Sequence, residues 1–305
     1  MKPDAITFKQ LRALRAVTKV GSLAGAARGF GQTTSTVHSQ IKALETALGL
    51  AVFDRRAGGE ALKLTREGAE MLRAAHRIDS NLSQAVATIQ AYNTGKNGRI
   101  TLAVVSTGKY FGPRLVRMLA DIHPEIDIRL KVANRSDTVM GIERSEFDLV
   151  IMGRPPRTEL GNARPVGPHP HGIIVPPDHP LATHPGYDPD MLLSNTFIMR
   201  EPGSGTRSVA ERFLERFGQG VPRRMIEMDS NETIKQAVMA GLGIAMLSQH
   251  TVADEIKTGR LVLLQGVGLP VMRHWYLVEP NGPLASEVAR TAAESIIDFN
   301  GSFLP

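Results

Sequence analysis

Residues 66–92 contain no proline and place Gly68, Met71, Ala75, Ile78, Leu82, Ala85, Ile89 and Tyr92 at alternating spacings of three and four. That is the heptad period of one long helix with a single apolar seam. Such a helix divides the chain into a head at residues 1–66, a linker at residues 67–93 and a body at residues 94–305. The outer positions of the linker carry Arg73, Arg77, Asp79, Asn81, Gln84 and Gln90. A polar outside and an apolar seam predict that two copies pair along it. Residues 93–98 (NTGKNG) are rich in turn formers and mark where the body begins.

At 305 residues the chain is too long for one compact domain. It has no cysteine, which removes disulfides and thiolate metal sites. No apolar run approaches the roughly 20 residues of a membrane span. The N-terminal residues lack the apolar stretch of a secretory signal. These features predict a cytoplasmic protein with no membrane partner. Charge is unevenly placed. Residues 1–66 hold eleven Lys and Arg against four Asp and Glu, a net +7, whereas the whole chain is only +6. Positive charge gathered in one small domain is the footprint of a polyanionic partner.

Within the head, Phe8, Leu11, Leu14 and Val17 form a helical stripe that Gly21 ends. Ser22 is placed to cap the next helix, its hydroxyl accepting from first-turn amides. The small Ala24, Ala26 and Ala27 admit a close neighbour, and Gly31 ends this helix. Thr33 is placed to cap a third helix over residues 34–47, with Val37, Ile41, Leu44 and Leu48 inward. Its outer face offers Thr34, Ser35, Thr36, His38, Ser39, Gln40 and Lys42, which suit base edges in a major groove. Residues 52–54 and 62–64 alternate as strands about an AGGE turn. Arg55 and Arg56 sit on that wing, in reach of phosphates or the minor groove. The head therefore predicts a winged helix-turn-helix that binds double-stranded DNA.

The run GSLAGAARGFGQTTSTVHSQIKALETALGLAVFDRR, followed by LKLTREG, resembles the signature of LysR-type transcriptional regulators. Ala26, Ala27, Val37, Gln40, Ile41, Leu44, Glu45, Leu48, Gly49, Phe53, Arg55, Leu64, Thr65 and Gly68 carry the match. The chain departs from the family at the start of the reading helix, where Thr34-Ser35-Thr36 replaces the usual Gln-Pro-Ala. The resemblance implies a homodimer or homotetramer, promoter DNA and RNA polymerase as partners, and a two-lobed effector domain of the periplasmic-binding-protein type.

The body alternates strands and helices, which predicts parallel sheets covered on both faces. The expected first lobe spans 99–160 and 268–300, and the second spans 161–267. In the segment FIMREPGSGTR (197–207), a strand ends at Arg200, a Gly-Ser-Gly turn follows and Thr206 opens a helix. Glycines admit a ligand close to the backbone, and a helix N-terminus favours an anion. Ser106, Thr107, Gly108 and Lys109 form a similar turn, and Ser230, Asn231, Glu232 and Thr233 start a third helix. With Asn134, Arg135, Arg154, Arg200, Glu201, Gly203, Ser204, Gly205 and Arg207, these residues predict a reversible anionic effector, phosphorylated or polycarboxylate, rather than a resident cofactor.

The runs STGKYFGPRLVRMLADIHPEIDIRLKVANR, MREPGSGTR, NETIKQAVMAGLGIAMLS and GLPVMRHWYLV resemble the Calvin-cycle (RuBisCO operon) branch of the family. That branch implies phosphorylated sugars, phosphoenolpyruvate or NADPH as signals, and because related one-carbon assimilation regulators share these runs, carbon-fixation or one-carbon assimilation genes as targets. A LysR-type regulator of another pathway with a carboxylate effector, or a solute-binding protein, is the alternative. His169, His171, Asp178, His179 and His184 cluster in a proline-rich stretch that reads as loop, and a metal site is not expected there. No catalytic motif is present, so an enzyme is not expected.

Overall fold

The computed structural model describes residues 3–54, 62–156, 160–183, 186, 188–217, 222–281 and 286–305. The chain forms two units, a head built on residues 1–86 together with 143–146 and a body built on residues 87–142 and 147–305.

The head holds α1 (Phe8–Val20), α2 (Leu23–Phe30) and α3 (Thr34–Leu48), then a short antiparallel ladder of β1 (Phe53–Asp54) and β2 (Lys63–Leu64), then α4 (Arg66–Asn93). Side chains start each of the first three helices. Thr7 and Gln10 form a capping box before α1, Ser22 Oγ accepts from Gly25 N, and Thr33 Oγ1 accepts from Thr36 N. Glycines in the left-handed region at 21, 31 and 49 end them. Leu11, Leu14, Val17, Ala26, Ala27, Val37, Ile41 and Leu44 close one core. Phe8 opens the sequence stripe but is exposed. Thr65 joins ladder and long helix, its hydroxyl donating to the Ala51 carbonyl and accepting from Gly68 N. A Cβ at Gly68 would strike the Val52 carbonyl, so this turn requires glycine.

The predicted seam of α4 divides in two. Gly68, Met71 and Ala75 pack into or against the head core. Ile78, Leu82, Ile89 and Tyr92 are exposed, with Val86 between them. Only the second part is open to a partner copy; the first three positions belong to the head.

The body begins with β3 (Gly98–Val105), α5 (Gly112–Ile122), β4 (Ile126–Ala133), α6 (Arg135–Glu143), β5 (Leu149–Met152) and β6 (Gly161–Pro168). The second lobe follows with β7 (His171–Val175), α7 (Pro189–Leu193), β8 (Thr196–Arg200), α8 (Gly205–Leu214), β9 (Arg224–Met228), α9 (Asn231–Met239), β10 (Ala245–Ser248), α10 (Ala253–Lys257) and β11 (Val262–Leu263). The chain then returns through β12 (His274–Pro280) and α11 (Glu287–Asp298).

The first sheet has the order β4-β3-β5-β12-β6. β4 and β5 run parallel to β3, and β12 runs antiparallel to β5 and β6. The sheet is therefore mixed, where the sequence predicted a parallel one. The second lobe pairs β7 with β10 and β11, and β8 with β9. An isolated bridge from Phe197 to Ile244 links the two ladders.

The lobe boundaries differ from those predicted. Residues 161–168 form β6 in the first sheet rather than opening the second lobe. Their Pro165 and Pro168 are tolerated because β6 is an edge strand, which leaves one row of amides outside the ladder. Val271 still bridges to His171, so the return crossing falls after 271 rather than at 268. The crossing segments run side by side, with His169 N donating to the Arg273 carbonyl at 2.7 Å.

Candidate functional site

In the head, α3 turns Val37, Ile41 and Leu44 inward and leaves Thr34, Ser35, Thr36, His38, Ser39 and Lys42 exposed. This is the surface the sequence predicted. Gln40 is half-buried, so its reach outward is shorter than expected. Thr33 Oγ1 is held within 2.9 Å of Ser35 Oγ and 2.8 Å of Thr36 Oγ1. Together these hydroxyls make a compact polar tip at the helix start. Ser22 is occupied as a cap. Arg55 and Arg56 lie outside the described residues.

In the body, a cleft of about 670 Å³, its open mouth included, lies between the lobes. The first lobe contributes Ser106 and Thr107 after β3, Asn134 and Arg135 at the start of α6, and Gly153 and Arg154 after β5. The second contributes Arg200 at the end of β8, and Ser204, Gly205, Thr206, Ser208, Val209 and Arg212 along α8. His169, His171 and Arg273 come from the crossing segments. Asn134 Oδ1 accepts from Asp137 N at 2.8 Å, and Ser204 Oγ accepts from Arg207 N at 3.5 Å. Each caps a helix whose first amides lie at the cleft wall, an arrangement that favours negative charge.

Five arginines line this cleft, and no Asp or Glu is among the described lining residues. Arg200 already has a counter-charge. Its Nε and Nη2 donate to Glu201 at 2.7 and 2.9 Å, and its Nη1 donates to Asn231 Oδ1 at 2.5 Å. Arg135 instead donates to the Arg154 carbonyl at 2.6 Å. Burial, then the charges of Arg154, Arg212 and Arg273, push the Arg135 guanidinium below its ordinary value. Four cations repel one another across this space, and an anion seated among them reverses the sign of that interaction.

Several predicted residues do other work. Lys109 reaches Glu232 at 3.0 Å and Tyr110 donates to the same carboxylate at 2.6 Å, so both join the lobes. Ser136 Oγ donates to the Gly203 carbonyl at 3.5 Å, a second join. Gly108 packs against Val104. Thr233 meets Ser230 in the cap of α9, while Glu201 and Asn231 stand behind Arg200. Arg207 pairs with Glu211 at 2.8 Å and Glu227 at 2.7 Å, and donates to the Arg200 carbonyl. It braces α8 and does not line the cleft. The sequence reading missed Arg212, Arg273, Gly153, His169, His171, Ser208 and Val209. Helical spacing held the signal for Arg212: it lies seven residues beyond Gly205, on the same face, while Arg207 points elsewhere.

The histidines also separate. His179 caps a short turn through Leu181 N and meets Asn195 Oδ1. His184 lies outside the described residues. His169, His171 and His250 gather beside Trp275. Burial pushes His171 and His250 down to about 4. Burial, then His171, His250 and Arg273, holds His169 well below the usual imidazole range.

A helix-turn-helix head, a long linking helix and a two-lobed body with an arginine-lined cleft define a DNA-binding regulator with an effector domain. Residues 8–69 match the bacterial regulatory helix-turn-helix protein, lysR family, and residues 93–299 match the LysR substrate binding domain. The chain belongs to the LysR family of transcriptional regulators. It is 48% identical over 303 residues to the HTH-type transcriptional regulator CbbR of Cereibacter sphaeroides, covering 99% of this chain and 97% of that one. It is 36% identical to the RuBisCO operon transcriptional regulator of Allochromatium vinosum, covering 96% of each. Among solved structures, the Synechocystis PCC6803 CcmR regulatory domain in complex with 2-PG is 36% identical, with a TM-score of 0.62, covering 66% of this chain and 97% of that one.

Proposed function

We propose that this regulator controls carbon-fixation genes in response to a small phosphorylated anion held in the arginine cleft. The carrying observation is the set of Arg135, Arg154, Arg212 and Arg273 on a wall with no carboxylate among its described lining residues. Arginine forks match phosphate oxygens, and two helix starts point amides at the same space. The similarity to CbbR and to a RuBisCO operon regulator supports the target genes, and the 2-PG complex of the CcmR domain supports a phosphorylated ligand. The effector acts reversibly, as a signal and not as a resident cofactor, and the chain performs no catalysis. It works in the cytoplasm, with promoter DNA and RNA polymerase. Among the described residues no helix is long and apolar enough to cross a membrane. Two copies pair along the exposed Ile78, Leu82, Val86, Ile89 and Tyr92 of α4, so that two heads reach two half-sites.

The test joins both ends of the molecule. Footprinting on the promoter of a carbon-fixation operon is run with and without 2-phosphoglycolate. Protection that changes in extent or length with the ligand supports the reading. No protection at physiological salt, or no response to any phosphorylated metabolite, overturns it.

A further inference from the structure

Three imidazoles meet where the crossing segments pass each other. His171 Nδ1 lies 3.1 Å from the His169 carbonyl, and His250 Nδ1 accepts from the Trp275 indole at 3.1 Å. His169 differs from both. It lines the cleft, is only 5% exposed, and neither of its ring nitrogens has a hydrogen-bond partner among the described residues. Its ring lies flat on Trp275, with centroids 3.7 Å apart and planes at 14°. A Cβ at Gly153 would strike its Nδ1, so close packing holds the ring in place from the other side as well. The fold bears the cost of a desolvated imidazole with nothing to bond.

We propose that His169 is an effector-contacting residue that takes up a proton as the cleft takes up its anion. The inference rests on the anion reading above and adds a proton to it. Among the described residues, the groups that line the cleft with His169 are neutral or positive. Arg273 lies on the crossing segment, Arg154 beyond β5, Arg135 on α6 and Arg212 on α8. Arg200 at the end of β8 carries its own counter-charge, Glu201. His171 lies on β7 and His250 after β10, and Trp275 on β12 offers a ring face. Without an anion, a proton on His169 adds one more buried positive charge to this set, and burial together with Arg273 keeps the ring neutral. With a dianion among the arginines the nearest charge is negative, and an imidazolium becomes a charge-assisted donor to it. The proton comes from solvent and adds to the ring nitrogen that bears no hydrogen. Anion affinity therefore rises as pH falls, because the bound state holds more protons than the free state.

Sulfate is the probe, since its charge is constant across neutral pH, and 2-phosphoglycolate is run in parallel. Calorimetry in buffers of different ionisation heat counts the protons. Uptake averaging about a quarter to a half of a proton per anion is expected between pH 8 and pH 6, with Kd tightening roughly three- to tenfold over that range. His169→Gln keeps a hydrogen-bonding amide but cannot carry the charge. It should still bind while its proton uptake falls to near zero and its pH profile flattens. Binding by the wild type without proton uptake overturns this inference and leaves the anion reading intact. Unchanged uptake in His169→Gln overturns it too. If neither anion binds the wild type, the anion reading falls and takes this inference with it. If His169→Gln loses its thermal transition, NMR titration of the His169 ring in the wild type decides, and a pKa that sulfate does not raise overturns the proposal.

Discussion

The molecule presents two basic surfaces built in opposite ways. The head spreads its charge over an exposed helix of short hydroxyls, a histidine and one lysine. The cleft gathers four guanidiniums, with Arg135, Arg154 and Arg273 half-buried and Arg212 exposed at its wall, beside the buried Arg200 that is paired with Glu201. Solvated charge suits a long polyanion met at many points, because each phosphate contact is weak and releases counterions. Buried charge suits a small dense anion, because repulsion among the cations is large until one ligand relieves it at once. Positive charge does different work according to the water around it.

This contrast can be broken by experiment. The largest effect expected is on DNA: affinity falls about a thousandfold between about 50 and 200 mM salt, read by fluorescence anisotropy on operator DNA. A flat dependence would remove phosphate contact from the account of the head. Next, Arg135→Ala lowers affinity for 2-phosphoglycolate by about a hundredfold, measured by calorimetry, because the anion loses a desolvated partner. An affinity within a factor of about three of wild type would show that the cleft is not the anion site. Lys42→Ala weakens DNA binding about three- to tenfold across unrelated sequences and lowers the salt slope by about one, as one lost phosphate contact should. The smallest change is expected from Arg207→Ala, whose anion affinity stays within about twofold, since its two glutamate partners hold it out of the cleft. A loss matching that of Arg135→Ala would return Arg207 to the binding set.

The head was nearly all legible in the sequence. Ser22 and Thr33 cap the helices they were expected to cap, Gly21 and Gly31 end the helices they were expected to end, and the inward and outward faces of α3 follow from helical period. These are local rules, with causes within four residues of their effects. The linker was legible only in part. A three-four repeat marks an apolar face but does not say which neighbour covers it, and the head core claimed Gly68, Met71 and Ala75. The cleft was legible in chemistry and blurred in membership. The turns at 106–107 and 204–206 and the residues Asn134, Arg135, Arg154 and Arg200 do converge. Lys109 and Glu232, 123 residues apart, each looked like a ligand and found each other instead. A proline-rich stretch that read as loop holds an edge strand and, just beyond it, two histidines of the cleft wall.

By itself, the sequence determined that a basic reading head stands on a long helix before an α/β body rich in arginine at its strand-to-helix turns. Charge placement, helix caps and periodicity are written within short windows, and they survive any arrangement of the rest. The tertiary structure alone decided which arginines line the cleft and which face a glutamate. It also decided where the chain crosses between lobes, and that His169 lies in the cleft wall with both ring nitrogens unpaired. Those outcomes depend on distances between residues far apart in the chain, which packing sets and local pattern does not carry.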